Sequence, residues 1–229
     1  RCLDQVTISC AYTKLPVKIG GTDPGICAQL NGGTHMSLED MALMRAIANM
    51  VVFEPTDAEQ FSQAIPQIAY NDSPTYIRIQ RTAADKVYGP DYRFHLGKAD
   101  VLRDGKDVVI FCSGIMVIRS LAAAEILAEQ GIDAAVVNVH TLKPLDEETV
   151  LKYAAKCRAV VTAENHSIIG ALGGAVAEVL AEKCPTVMRR IGVTDHFGEV
   201  GKLDYLEKKF HMTPSDIADA AKSAVAAKN

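Results

Sequence analysis

Several absences narrow what this chain can be. There is no basic excess: 24 lysines and arginines stand against 28 aspartates and glutamates, a net charge of −4. Without a positive field the chain attracts phosphate backbones poorly, which argues against nucleic acid as a partner. No apolar run approaches the roughly 18 residues that a membrane span needs. The opening residues, "RCLDQVTISC", have no signal-peptide layout, and they start on Arg1 rather than Met, so the chain reads as a fragment. The six cysteines (Cys2, Cys10, Cys27, Cys112, Cys157 and Cys184) include no Cys-x-x-Cys pair. They are expected to be reduced, mostly buried thiols of a cytoplasmic protein. Zinc would need ligands at close spacing, and the histidines supply none.

What is present is a regular alternation. The 229 residues suffice for one large domain or two modest ones. Short apolar runs alternate with segments of helical period, which predicts an α/β fold with mainly parallel strands. "LPVKIG", "NMVVFEP" and "TYIRIQ" read as strands, and residues from about Leu38 to Ala48 as a helix entered through a Ser-x-x-Asp cap. A second helical segment starts at Asp57. The stretch from Arg81 to Asp107 has no sustained period and carries two turn signals, so it reads as a linker with a short hairpin or strand pair. From Asp107 on, strands at "DVVIFCSG", "DAAVVNVHT", "RAVVTAEN" and "TVMRRIGV" alternate with helices. Gly131 is a helix stop, and Thr213-Pro214 starts the last helix.

Few residues carry chemistry. Gly32-Gly33-Thr34-His35, in "QLNGGTHMSLED", opens a helix, at the place where open α/β sheets bind ligands. Glycines there allow close backbone approach, and an imidazole can move protons near neutral pH. Spacing alone balances that reading against a plain loop. Arg78 and Arg81 lie at and just beyond a strand end, from which both could reach one anion, although a surface charge pair is the favoured reading without further context. Glu164 and His166 precede a glycine-containing helix start that lacks a G-x-G-x-x-G spacing, so close helix packing is the favoured explanation of Gly173 and Gly174. Asp195 and His196 read as loop residues with a structural or interface role. No Ser-His-Asp set, metal constellation or Walker loop can be assembled from these pieces.

Three segments, "DQVTISCAYTKLPVKI", "NGGTHMSLEDMALMRAIANMVVFEPTDAEQ" and "SPTYIRIQR", together resemble the pyrimidine-binding domain of transketolases. "VVIFCSGIMVIRSLAAAEILAEQGIDAAVVNVHTLKPLDEETV" and "AVVTAENHSIIGALGGAVAEVL" resemble the C-terminal domain of the same family. The resemblance covers nearly the whole chain. It implies two three-layer α/β domains with mainly parallel sheets: residues 1–85 as the C-terminal portion of the pyrimidine-binding domain, a linker over 86–106, and the C-terminal domain over 107–229. It also implies thiamine diphosphate and magnesium as cofactors. The Gly-Asp-Gly…Asn-Asn stretch of the family's diphosphate-binding domain is missing, so diphosphate and metal would be held by another domain or subunit. The assembly implied is a homodimer or heterotetramer of a transketolase, including one encoded as two polypeptides.

By the same resemblance, His35 matches the histidine that touches substrate hydroxyls, and Arg81 an arginine that binds the sugar phosphate. Arg78 joins it as a substrate-binding candidate. Asn31 stands where many members have an aspartate that reads a hydroxyl. Asp23 lies near a position where several have a phosphate-binding histidine, and an acid there would repel phosphate. The family's cofactor-activating glutamate and stacking aromatics would lie upstream of Arg1, and neither Glu39 nor Glu54 can stand in for that glutamate, so the chain alone is expected to be inactive. The activity implied is transfer of a two-carbon ketol unit from a ketose phosphate to an aldose phosphate, in the cytoplasmic pentose phosphate pathway. Deoxyxylulose-phosphate synthase, a 2-oxoacid dehydrogenase β-type subunit and a non-catalytic assembly subunit are the alternatives.

Overall fold

The computed structural model describes residues 2–228. The chain enters through α1 (Leu3–Gln5), which widens into a π-helical stretch over Val6–Tyr12, a segment to which sequence periodicity assigned nothing. Then follow β1 (Lys18–Thr22), α2 (Asp40–Ala46), β2 (Val51–Phe53), α3 (Ala58–Ala69) and β3 (Thr75–Ile79). The second half runs β4 (Asp100–Arg103), β5 (Val108–Cys112), α4 (Met116–Glu129), β6 (Ala134–Asn138), β7 (Thr141–Lys143), α5 (Glu147–Cys157), β8 (Ala159–Ser167), α6 (Leu172–Lys183), β9 (Val187–Val193), α7 (Leu203–Lys209) and α8 (Pro214–Ala226). Caps fix several helix starts: Asp57 accepts from Gln60 N–H, Asp146 from Thr149 N–H, and Thr213 with Asp216 forms a reciprocal capping box.

The strands form two sheets, ordered β1-β3-β2-β7 and β4-β6-β5-β8-β9. Both are parallel except at one edge, where β7 runs antiparallel to β2 and β4 antiparallel to β6. The segment read as a linker with a short hairpin or strand pair holds a single strand, which pairs with β6 farther along the sequence. The predicted strand over 133–141 also divides. Asn138 ends β6, the chain turns through Val139 and His140, and Thr141 begins a strand of the other sheet. Each sheet is thus completed by a strand that leaves the run of its neighbours.

The second sheet is apolar on both faces, as a covered parallel sheet must be. Along β5, Val108, Ile110 and Cys112 face the core under α4 and α8, while Val109 and Phe111 face the one shared with α5 and α6. Ala134 and Val136 of β6 alternate with Ala135 and Val137 in the same way. A smaller cluster of Phe53, Ala64, Ile68, Ile77 and Phe94 lies between the first sheet and α3. The cysteines are less hidden than expected: Cys27, Cys112 and Cys157 are buried, Cys10 and Cys184 half-buried, and Cys2 exposed.

Candidate functional site

The site grows from the carboxyl ends of β1 and β3. Thr22 pairs with Ile79 at the last register position, so the residues that follow, Asp23 and Gln80-Arg81, emerge side by side. Asp23 takes a left-handed turn (φ 57°), and its N–H donates to the Ile79 carbonyl at 3.1 Å. Pro24 then bridges to Ser37, and the Gly25 N–H donates to the Ser37 carbonyl at 3.0 Å. The short helical turn of Gly33–His35 is therefore held next to the Asp23–Pro24 turn. Gly25 has to be glycine: its φ is 52°, and a Cβ there would stand 2.3 Å from Asn165 Oδ1.

His35 is exposed, with Thr34 Oγ1 3.0 Å from its Nδ1 and no partner for Nε2 among the described residues. Beside it opens a cavity of about 710 Å³. One wall comprises Gly33, Thr34, Met36, Leu38 and Glu39; the other is the Asp195-His196-Phe197-Gly198 loop, joined by Ser167. The walls meet so closely that a Cβ on Gly33 would lie 2.1 Å from the Gly198 carbonyl oxygen. Asp195 and His196, read from sequence as merely structural or interface residues, thus line the cavity next to the His35 turn.

The two arginines part company. Arg81 is 63% exposed and pairs with Asp23 at 3.0 Å. Arg78 is 1% exposed, with Nε 2.9 Å from Asp40, Nη1 2.8 Å from Glu54 and Nη2 3.0 Å from the Ser37 carbonyl. Its donors are consumed inside the protein, so the expectation that it reaches a substrate anion together with Arg81 is corrected. Position along the strand is the reason: β3 is buried on both faces from Thr75 to Arg78, whereas Arg81 lies past the strand's end. Asn31 is exposed at the end of the Gly25–Asn31 turn. Glu54, bound to Arg78 and to the Ser113 hydroxyl at 2.6 Å, is sealed from the cavity.

Arg78 is the centre of a buried network that sequence patterning does not suggest. Burial alone would raise the Asp40 carboxyl, but the guanidinium, the Tyr76 hydroxyl at 2.7 Å and the nearby His166 outweigh it and hold it below the ordinary range. Asp40 is consequently no helix cap. Glu39 occupies the N-cap position of α2 without a capping bond, so the expected Ser-x-x-Asp cap does not form. The end of β8 supplies the other side. Asn165 donates to the Pro24 carbonyl at 2.9 Å and accepts from Ile26 N–H at 3.0 Å, and Ser167 N–H donates to the Leu38 carbonyl at 2.9 Å. Burial takes the His166 imidazole down to about 4.

Glu164 lies in β8, within the strand read over 158–165, and β8 runs on past that stretch to include His166. Glu164 accepts from the Leu172 and Gly173 N–H groups, both at 2.8 Å, and burial pushes its carboxyl up to about 7. A Cβ on Gly173 would come within 2.9 Å of that carboxylate, which accounts for the glycine by close packing; Gly174 faces open space and that explanation does not extend to it.

Comparison with known proteins agrees with this architecture. Residues 1–86 match the transketolase pyrimidine-binding domain and residues 97–217 the transketolase C-terminal domain. A 6-deoxy-6-sulfo-D-fructose transketolase subunit from Clostridium sp. (strain MSTE9) is 55% identical over 229 residues, which are all of this chain and 71% of that protein. An apulose-4-phosphate transketolase subunit from Phocaeicola vulgatus is 37% identical over 196 residues, 85% of this chain and 62% of its own length. Among solved structures, a split-gene transketolase described as an inactive β4 tetramer superimposes with a TM-score of 0.92 at 41% identity, covering 100% of this chain and 73% of that one. No helix among the described residues is long and apolar enough to cross a membrane. On these grounds the chain belongs to the transketolase family of transferases, whose members depend on thiamine diphosphate.

Proposed function

We propose that this chain is the C-terminal subunit or part of a cytoplasmic transketolase, moving a two-carbon ketol unit from a ketose with an anionic tail to an aldose phosphate. The division proposed is a pyrimidine-binding portion over 1–85, a linker over 86–106 and a C-terminal domain over 107–229. The observation that carries the reading is the exposed His35 imidazole, presented on a glycine turn at the carboxyl end of a parallel sheet and beside a large cavity. That cavity can receive a cofactor ring against Met36, Leu38 and Phe197, with the glycine backbones of the two loops allowing close approach. Among the described residues no group of three or more His, Cys, Asp or Glu side chains could hold a metal ion. We assign magnesium and the diphosphate to a partner diphosphate-binding domain or subunit because the Gly-Asp-Gly…Asn-Asn stretch of that domain does not occur in this sequence. The 27% of the split-gene relative outside the match leaves room for further contributions to the site.

When bound, thiamine diphosphate supplies the electron sink that cleavage next to a carbonyl requires. His35 works on the hydroxyl beside the breaking bond. It accepts the proton as that carbon becomes the aldehyde of the departing aldose, and returns one when the acceptor's aldehyde becomes a hydroxyl. Asn31 offers a neutral amide to a sugar hydroxyl. Arg81, held at the strand end, anchors the far tail so that binding energy orients the reacting end. The relative named for 6-deoxy-6-sulfo-D-fructose supports a tail that is a sulfonate or a phosphate.

The test combines this chain with a diphosphate-binding partner, thiamine diphosphate and magnesium. The donors are xylulose 5-phosphate and 6-deoxy-6-sulfofructose, and the acceptor is an aldose phosphate. Two-carbon transfer from either donor is expected. Turnover only with pyruvate and glyceraldehyde 3-phosphate would move the assignment to a deoxyxylulose-phosphate synthase, and no turnover with any donor would leave an assembly subunit.

A further inference from the structure

Arg81 is not a free cation. Its Nε lies 3.0 Å from Asp23, whose side chain is only 13% exposed while that of Arg81 is 63% exposed. The second carboxylate oxygen of Asp23 is buried and has no hydrogen-bond partner among the described residues. The ion pair with Arg81 thus answers the negative charge of Asp23, and it is made on one edge of the guanidinium. The outer nitrogens of Arg81, whose side chain is 63% exposed, meet no carboxylate other than that of Asp23 among the described residues. Asp23 cannot easily swing away: its left-handed backbone is pinned by the Ile79 carbonyl before it, and by Asn165 on the Pro24 carbonyl after it. An anion arriving at Arg81 meets a fixed pair of opposite charges.

We infer that Asp23 is a specificity-determining residue that matches the tail-binding end of the site to a singly charged anion. The inference rests on the proposed two-carbon transfer. Near neutral pH a sulfonate carries one negative charge, whereas a phosphate monoester, with a second pKa of about 6, carries close to two. Both tails present three oxygens to the guanidinium, so hydrogen bonding alone separates them poorly. Charge separates them well: the extra unit on a phosphate is repelled by a carboxylate a few ångströms away, in a setting less screened than bulk water. That repulsion is expected to be worth on the order of tenfold in relative preference. Arg81 supplies the attraction and Asp23 the rejection, the two components that discrimination between similar ligands requires.

The deciding variant is Asp23→Asn, which keeps the shape and tolerates the left-handed backbone. With partner and cofactors present, the kcat/KM ratio of phosphorylated to sulfonated ketose should rise about tenfold or more in the variant at pH 8. The rise should fade as pH falls below about 6, where the phosphate tail becomes a monoanion. A merely structural role would change both donors alike and leave no dependence on the tail's ionisation. A second measurement needs no turnover: NMR titration of the methyl signal of Thr82, next to Arg81, with inorganic phosphate and with methanesulfonate, in both proteins at pH 8. Asp23→Asn should tighten phosphate about tenfold relative to methanesulfonate, and Arg81→Ala should abolish both responses. Equal changes for the two anions, in either measurement, overturn the inference. Absence of transfer from any donor would instead refute the proposed function, while the titration would still decide the part played by Asp23.

Discussion

The two sheets bury their residues in opposite ways. In β5 and β6 every residue from Val108 to Cys112 and from Ala134 to Val137 is apolar or nearly so, and successive side chains feed two separate cores. The first sheet instead sends Arg78 inward to meet Asp40 and Glu54, and leaves Asp23, Arg81 and the His35 turn at its end. Where the two halves meet, the polar end of β8 grips the first half, Asn165 and Ser167 through its loops and His166 through the Ala42 N–H of α2. The contrast gives the C-terminal half a physical role, that of a slab with apolar central strands in which the polar end of β8 holds the candidate site in shape.

The largest expected effect strikes the seam between the halves. Arg78→Met leaves two buried carboxylates without their cation and should cost about 3–5 kcal/mol in stability, read from urea unfolding. Adding Asp40→Asn and Glu54→Gln to Arg78→Met should recover part of that loss, because the penalty is uncompensated charge. A cost below about 1 kcal/mol, or no recovery, would erase the contrast with the apolar slab.

His35→Ala sharpens the same contrast from the other side. Activity of the reconstituted enzyme should fall about a hundredfold or more, while the unfolding free energy stays within about 0.5 kcal/mol, because an exposed loop side chain contributes little packing. Comparable losses of both would make His35 structural.

The buried histidines should show the reverse behaviour. Burial depresses His140 from 6.5 to about 3 and His166 to about 4. As pH falls through 6.5 the unfolded chain takes up protons that the folded chain refuses until the depressed values are reached. Stability is therefore lost from about pH 6.5 downward, by roughly 1.4 kcal/mol per pH unit for each histidine. His140 already packs against Phe53 and Phe94. His140→Phe should remove one such contribution, flattening the fall of the urea midpoint between pH 6.5 and 5. An unchanged slope would mean that His140 is charged in the fold.

The smallest effect concerns α6. Gly174→Ala, facing open space, should stabilise by about 0.5–1 kcal/mol through the gain in helix propensity. Gly173→Ala should destabilise, since its Cβ would press on the Glu164 carboxylate. Thermal unfolding of the two variants decides it, and shifts of the same sign would defeat the packing account.

Much of this molecule was written locally. The strands at β1, β2, β3, β5, β8 and β9 and the helices from α3 to α8 follow from period, caps and turn residues, because each signal acts within a few residues. The His35 turn was legible for the same reason: two glycines, a threonine and a histidine before a helix mark a turn that presents an imidazole, while spacing alone left its role balanced against that of a plain loop. Other features depended on partners far along the chain. Whether Arg78 was a ligand or a buried cation turned on Asp40 and Glu54, 38 and 24 residues away. The departure of β7 to the first sheet, the approach of the Asp195–Gly198 loop to Gly33, and the grip of Asn165 on Pro24 all join segments that local periodicity cannot relate. Sequence alone determined most of the strands and helices and which loop carries the imidazole, but not the Leu3–Tyr12 helical stretch, β4 or the separation of β7 from β6. Tertiary structure decided which charges are spent inside the protein and which reach the cavity, because burial and pairing of a charge are set by the residues that folding brings against it.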